Sequence, residues 1–224
     1  MDHAAFIHAN TRLLAVPLAP EISLHLAEES LPIWRKTEEE LGEMNVPPPY
    51  WAFAWAGGQA LARYLLDTCV TRGRRVLDLG AGSGLAAIAA MTSGAAHALA
   101  ADIDPFAVAA ITLNAAANGV AVDATAADLL EGPSDGFDIV VVGDLFYERA
   151  LAERVLRFLD ATVSAGTQVL VGDPRRGYFP QARFAQVAEY VVPVTRELED
   201  AEIKRTAVWR LAAAPSGRRT GSAC

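Results

Sequence analysis

Beyond residue 74 the chain alternates short apolar runs with longer mixed stretches, and glycines, prolines or acids punctuate the changes. Short apolar runs bounded by turn residues mark buried strands, while the mixed stretches between them carry helix formers. The pattern predicts strands over 75–79, 97–103, 121–126, 138–142, 167–171, 190–195 and 204–211, and helices over 85–92, 105–118, 148–159 and 180–188. Asp104 suits a helix N-cap, Pro105 the first helical position, and Gly119 the stop that follows. Strands alternating with helices predict an α/β fold, a mostly parallel sheet with helices on both faces and a ligand across the carboxyl ends of the strands. The last two strands are joined by residues 196–202 alone, too few for a crossover, and so predict a C-terminal antiparallel hairpin.

Upstream the signal is weaker. Residues 4–14 have the composition of a short helix, and 21–27 alternate as a strand does, with Ile22, Leu24 and Leu26 on one face. The run Pro47-Pro48-Pro49 stops regular structure, and an aromatic stretch from Tyr50 to Gly58 leads into a helix predicted over 59–70. Residues 1–49 are too few to bury a core of their own and are expected to be an appendage, a candidate substrate lid, on a domain spanning 50–211. The tail 212–224 has no apolar pattern and is expected to be disordered.

Composition narrows the function. With 224 residues, 52% hydrophobic and 21% charged, the chain fits one well-buried domain. A formal net charge of −8 disfavours nucleic acid as partner, because phosphate contacts need a basic face. Cys69 and Cys224 lie too far apart for a disulfide framework or a zinc-ligand spacing, so no metal is expected and a reducing, cytoplasmic setting fits. The apolar stretch 84–101 is broken by Thr92, Ser93, Gly94 and His97 and is not read as a membrane span. The N-terminal residues lack the pattern of a signal or transit peptide, and a monomer is expected.

Candidate chemistry begins at Asp78-x-Gly80-x-Gly82-x-Gly84, where the first strand meets a helix. Glycines there allow a ligand close to the backbone. A dinucleotide fingerprint needs its third glycine at position 85, which holds Leu85. The spacing instead resembles the first motif of the seven-strand methyltransferases that bind S-adenosylmethionine. Asp102 ends the next strand, 24 residues after Asp78, where a carboxylate would accept from both ribose hydroxyls. Asp128 follows the third strand and is the candidate acceptor for an adenine amino group, and Asp78 the candidate partner of the methionine ammonium. Each acid alone also reads as a helix cap; the set at successive strand ends is the specific signal.

The fourth strand runs into Asp144-Leu145-Phe146-Tyr147, which resembles the Asp-x-x-Tyr signature of one group of lysine methyltransferases with this fold. The segments 49–67 and 172–180 are similar to the corresponding segments of the electron transfer flavoprotein beta subunit lysine methyltransferases. The resemblance covers residues 20–211, with one departure, Ala56 where proline is common. It implies a Rossmann-like seven-strand methyltransferase sheet, S-adenosylmethionine as cofactor and a lysine of the electron transfer flavoprotein beta subunit as acceptor. It further implies Asp144 and Tyr147 as catalytic, Trp55 in the cofactor pocket, and Phe146 and Trp51 along the substrate channel. Most aromatics among Trp34, Tyr50, Trp51, Phe53 and Trp55 otherwise read as core.

A free lysine, of pKa about 10.4, is protonated at neutral pH, and a lone carboxylate would raise that value further. Asp144 therefore reads as the acceptor that orients the amine, not as a strong base. Tyr147 reads as its partner through the hydroxyl or as a wall through the ring. Open alternatives are a ribosomal-protein lysine, a small heterocyclic amine, an inactive cofactor-binding module and, last, a dehydrogenase.

Overall fold

The computed structural model describes residues 2–27, 48–132, 135–194 and 202–211. Its centre is a seven-stranded sheet in the order β5-β4-β3-β6-β7-β9-β8, with β3 Arg75–Leu79, β4 His97–Ala101, β5 Asp123–Thr125, β6 Ile139–Gly143, β7 Gln168–Asp173, β8 Phe184–Pro193 and β9 Ile203–Leu211. The strands from β3 to β7 pair in parallel, and β9 pairs antiparallel with both β7 and β8. The expected sheet and closing hairpin are therefore present.

Alternate residues of the buried strands feed two cores, as the period of a strand requires. Val76, Ile139, Val141 and Leu170 pack under α2 Ala56–Thr68 and α3 Leu85–Thr92. Leu77, Val140, Val142, Val169 and Val171 pack under α5 Arg149–Ser164 through Val155, Phe158 and Leu159. The fourth sheet helix, α4 Pro105–Ala117, begins as predicted: the Asp104 side chain accepts from the Phe106 N–H at 2.8 Å, and Pro105 occupies the first turn.

Three predicted elements change. Residues 180–188 form a short 3-10 turn, Gln181–Arg183, and then the start of β8, not a helix. Their helix-forming composition yields to pairing along β9, which neighbours on the sheet decide. The helix expected over 4–14 ends at Asn10 (α1 His3–Asn10), and β1 Arg12–Val16 follows, paired antiparallel with β2 Ala19–Leu26. The helix expected from residue 59 starts at Ala56, so Gly57 and Gly58 lie inside its first turn.

The described part of the appendage is built into the core. Ile22, Leu24 and Leu26 join the cluster under α2 and α3, and Ile7 packs with Trp51 and Phe106. Asn114 of α4 and Asn118, the C-cap of that helix, hold the hairpin: Asn114 Oδ1 accepts from the His25 N–H at 2.7 Å, and Asn118 Oδ1 from the Ser23 N–H at 2.9 Å. The stretch 28–47, where a lid would fall, and the tail 212–224 lie outside the described residues. Among the described residues no helix is long and apolar enough to cross a membrane, and no cluster of His, Cys, Asp or Glu is placed to hold a metal ion.

Candidate active site

A cavity of about 600 Å³ opens over the carboxyl ends of β3, β4 and β6, the size of a small-molecule site. The glycine loop forms one wall. Gly80, Gly82 and Gly84 have φ of +64°, +51° and +79°, the left-handed region that favours glycine. Their surroundings differ. A Cβ on Gly80 would stand 2.6 Å from the Leu145 side chain, and one on Gly84 3.1 Å from Ile111. At Gly82 a Cβ would meet only ordinary contacts, the nearest being Trp51 Cα at 3.9 Å, so its left-handed backbone and not lack of room favours glycine there. Gly84 is the N-cap of α3 and lies against Ile111 of α4, between the cavity-lining residues Ser83 and Leu85.

Three acids expected or missed in the sequence meet at this wall. Asp102 Oδ2 accepts from the Gly82 N–H at 2.8 Å, and its Oδ1 from the Asp104 N–H at 3.0 Å, so the loop is pinned from the end of β4. Asp78 is 2% exposed, and its Oδ2 accepts from the Ala87 N–H of α3 at 2.9 Å. Burial pushes the Asp78 carboxyl up to about 7, and the neighbouring Asp102 charge adds to this. Asp102 and Asp104 are likewise raised by burial. Desolvated carboxyls around one cavity fit a ligand that brings a positive charge and hydroxyl donors.

Asp128 also reaches the cavity wall but is exposed, and its Oδ2 receives the Arg154 guanidinium at 2.7 Å. That guanidinium holds its carboxyl below the usual range. Any base edge at Asp128 would therefore meet a carboxylate already shared with Arg154.

The other end of the cavity is built around Asp144, which follows β6 with φ of +60° and is 8% exposed. Its Oδ2 accepts from the Gly58 N–H at 2.8 Å, and its Oδ1 from Arg176 Nε at 2.9 Å and Nη2 at 2.6 Å. A carboxylate bound by a guanidinium fork and a helix-start N–H is fixed in direction. Tyr147 stands at the mouth, 46% exposed, its ring 5.8 Å from that of Tyr50. Burial raises the pKa of its phenol, so at neutral pH it keeps its proton and is a hydroxyl, not a base.

Trp55 lines the cavity, donates from Nε1 to the Tyr50 carbonyl at 2.9 Å, and lies 5.6 Å below the Arg176 guanidinium. Trp51 lines it too, although the residue is 1% exposed and its ring stacks on Phe106. Phe146, expected along the channel, is fully buried in the core on the α5 side of the sheet and packs edge-on against Phe179 and Phe184. Trp34 lies outside the described residues. Two features were missed in the sequence. The pair Gly57-Gly58, which reads as a turn, brings α2 against Asp144, and Arg176, within the 172–180 segment, supplies the cation. Ala56 takes the first helical position, where proline is also at home, so that departure leaves the turn intact.

Residues 59–168 match the ribosomal protein L11 methyltransferase (PrmA) family. The fold resembles a ribosomal protein L11 methylase from Lactobacillus delbrueckii subsp. bulgaricus, with TM-score 0.55 and 21% identity, covering 89% of this chain and 100% of that one. Over 217 residues the chain is 40% identical to the electron transfer flavoprotein beta subunit lysine methyltransferase of Danio rerio, covering 93% of this chain and 83% of that protein. The Homo sapiens protein of the same name is 39% identical over 213 residues, covering 92% and 80%. The chain therefore belongs to the electron transfer flavoprotein beta subunit lysine methyltransferase family.

Proposed function

We propose that this protein transfers a methyl group from S-adenosylmethionine to a lysine of the electron transfer flavoprotein beta subunit. The observation that carries the reading is the 40% identity over 93% of the chain to a relative of that name. The site geometry supports it: a cavity rimmed by desolvated acids at one end and by Asp144 and Tyr147 at the other.

Bound there, S-adenosylmethionine would supply an electrophilic methyl group on a sulfonium. In this reading Asp78 would hold the methionine ammonium, Asp102 the ribose hydroxyls and Asp128 the adenine edge, and Gly82 with Trp55 would form the surrounding wall. Asp144 and the Tyr147 hydroxyl orient the lysine nitrogen. The proton leaves to water as the ammonium enters the apolar mouth, where burial and a nearby positive charge both lower its pKa. Holding the reacting atoms in line accounts for most of the acceleration.

The test is direct. Incubated with the purified beta subunit and labelled cofactor, the protein is expected to place label on lysine of that subunit. No label on the beta subunit at micromolar enzyme would sink the substrate assignment. The match to the L11 methyltransferase family favours a second reading, a ribosomal-protein lysine. Ribosomal protein L11 as competitor in the same assay separates the two. The proposal includes a monomer in a reducing, cytoplasmic setting, and a dimer in sedimentation would correct the first of these.

A further inference from the structure

We infer that Tyr50 is a specificity-determining residue for the acceptor: its ring continues that of Tyr147 into one aromatic wall at the cavity mouth, and the methylene stem of the incoming lysine lies along that wall. The inference rests on the lysine-methylation reading above.

Tyr50 is set apart from the aromatics around it. Trp51 is buried with Ile7 and Phe106, and Phe53 packs against the same cluster. Tyr50 joins none of the apolar clusters among the described residues and is 49% exposed, yet it lines the cavity. A large ring held half in water at a cavity rim adds little to the core and is available to a ligand. Its backbone is nevertheless fixed. Residues Tyr50–Ala52 form a 3-10 turn closed by the Ala52 N–H on the Pro49 carbonyl at 2.9 Å, and the Tyr50 carbonyl accepts from Trp55 Nε1 at 2.9 Å. A ring on a backbone so held loses little freedom when a ligand covers it.

Its contacts place it between the donor and acceptor ends of the cavity. The Tyr50 carbonyl lies 4.0 Å from where a Cβ on Gly82 would stand, so its backbone borders the glycine loop. Its ring centre is 5.8 Å from that of Tyr147 and 6.0 Å from that of Trp55. The phenol of Tyr50 is near enough to that of Tyr147 to add to the rise that burial gives the Tyr147 pKa. A lysine carried by another protein must enter from outside, where both tyrosine rings are about half exposed, while Asp78 of the donor wall is 2% exposed.

A lysine stem is apolar and gains by leaving water, and an aromatic face beside it also attracts the charge at its tip. Contacts along the stem are the same before and during transfer, so they govern KM, whereas the groups on the reacting nitrogen govern kcat.

The test is steady-state transfer to the beta subunit at saturating cofactor, with cofactor affinity measured separately by titration calorimetry. Y50A is expected to raise KM for the beta subunit about ten-fold, the effect of leaving roughly two methylenes in water, while kcat stays within about two-fold of wild type. Its dissociation constant for S-adenosylmethionine is expected to hold within the same margin. Y50F is expected to recover most of the lost affinity, because the ring and not the hydroxyl makes the wall.

An unmoved KM in folded Y50A overturns the inference. So does a cofactor constant weakened as much as KM, which would make Tyr50 part of the donor site, or a Y50F as impaired as Y50A, which would assign the effect to the hydroxyl. Should Y50A fail to fold, Y50S gives the same readings, and failure of both makes Tyr50 a structural residue and overturns the inference too. If the wild type labels no lysine at all, the underlying reading falls and takes the inference with it.

Discussion

Gly57 of α2 and Gly172 of β7 meet backbone to backbone: a Cβ on either residue would lie 2.1 Å from the other's carbonyl oxygen. The same Cβ on Gly57 would stand 2.6 Å from Asp144 Oδ2. This contact lets the first turn of α2 deliver the Gly58 N–H to the carboxylate. Gly57→Ala is therefore predicted to destabilise the protein by about 3 kcal/mol, since neither backbone can yield cheaply. Melting should fall by roughly 2–4 °C per kcal/mol. Methyl transfer should fall more than stability alone explains, because Asp144 loses its seat. Wild-type melting and turnover in this variant would refute the contact's role.

Phe146 and Tyr147 are adjacent in sequence and opposite in consequence. Phe146→Ala empties a fully buried site among Phe179 and Phe184 and is predicted to cost about 3–5 kcal/mol, with KM for the acceptor unchanged in whatever remains folded. Tyr147→Phe keeps the ring and removes the hydroxyl at the cavity mouth. It should melt as the wild type does, so a loss of kcat there isolates the hydroxyl. Unchanged kcat assigns Tyr147 to the wall alone.

Much of the architecture was legible because it depends on local chemistry. Asp104-Pro105 starts a helix wherever it can, and the apolar runs at 75–79 and 138–142 have no other place than a buried sheet. Acids at the ends of β3 and β4 could likewise be read from spacing. What stayed hidden depends on contacts far apart in sequence. Residues 184–193 become a strand only because β9 is beside them, and Gly57 sits in a helix only because Gly172 leaves room for it. Arg176 meets Asp144 across 32 positions of chain, so no local pattern announces the pair.

Cofactor affinity should depend on pH through Asp78. Its carboxyl is raised to about 7 in the cofactor-free fold, whereas a cationic ligand favours the ionised form. The dissociation constant for S-adenosylmethionine is predicted to weaken as pH falls from about 8 to 6 and to flatten in Asp78→Asn. Titration calorimetry across that range checks it. A pH-independent constant in the wild type removes Asp78 from the binding step.

The same shift affects stability with the opposite sign. Because the folded carboxyl binds its proton more tightly than the unfolded one, Asp78 destabilises the cofactor-free fold progressively as pH rises from about 4 to 7. The melting temperature of wild type relative to Asp78→Asn should fall across that window. Saturating cofactor should flatten that change with pH, because it holds the carboxylate ionised. A constant gap between the two proteins would show that burial does not shift this group.

The sheet order places β3, β4 and β5 on one side of a seam and β6, β7, β9 and β8 on the other. Asp78 and Asp102 belong to the first half, Asp144 and Arg176 to the second. In the proposed reading, the donor and acceptor sides of the site meet along the backbone pairing between β3 and β6. A lineage could rewrite the loops beyond β6 and β7 to accept a new client while inheriting the methyl-donor half unaltered. On that view the scaffold's age and its clientele need not coincide.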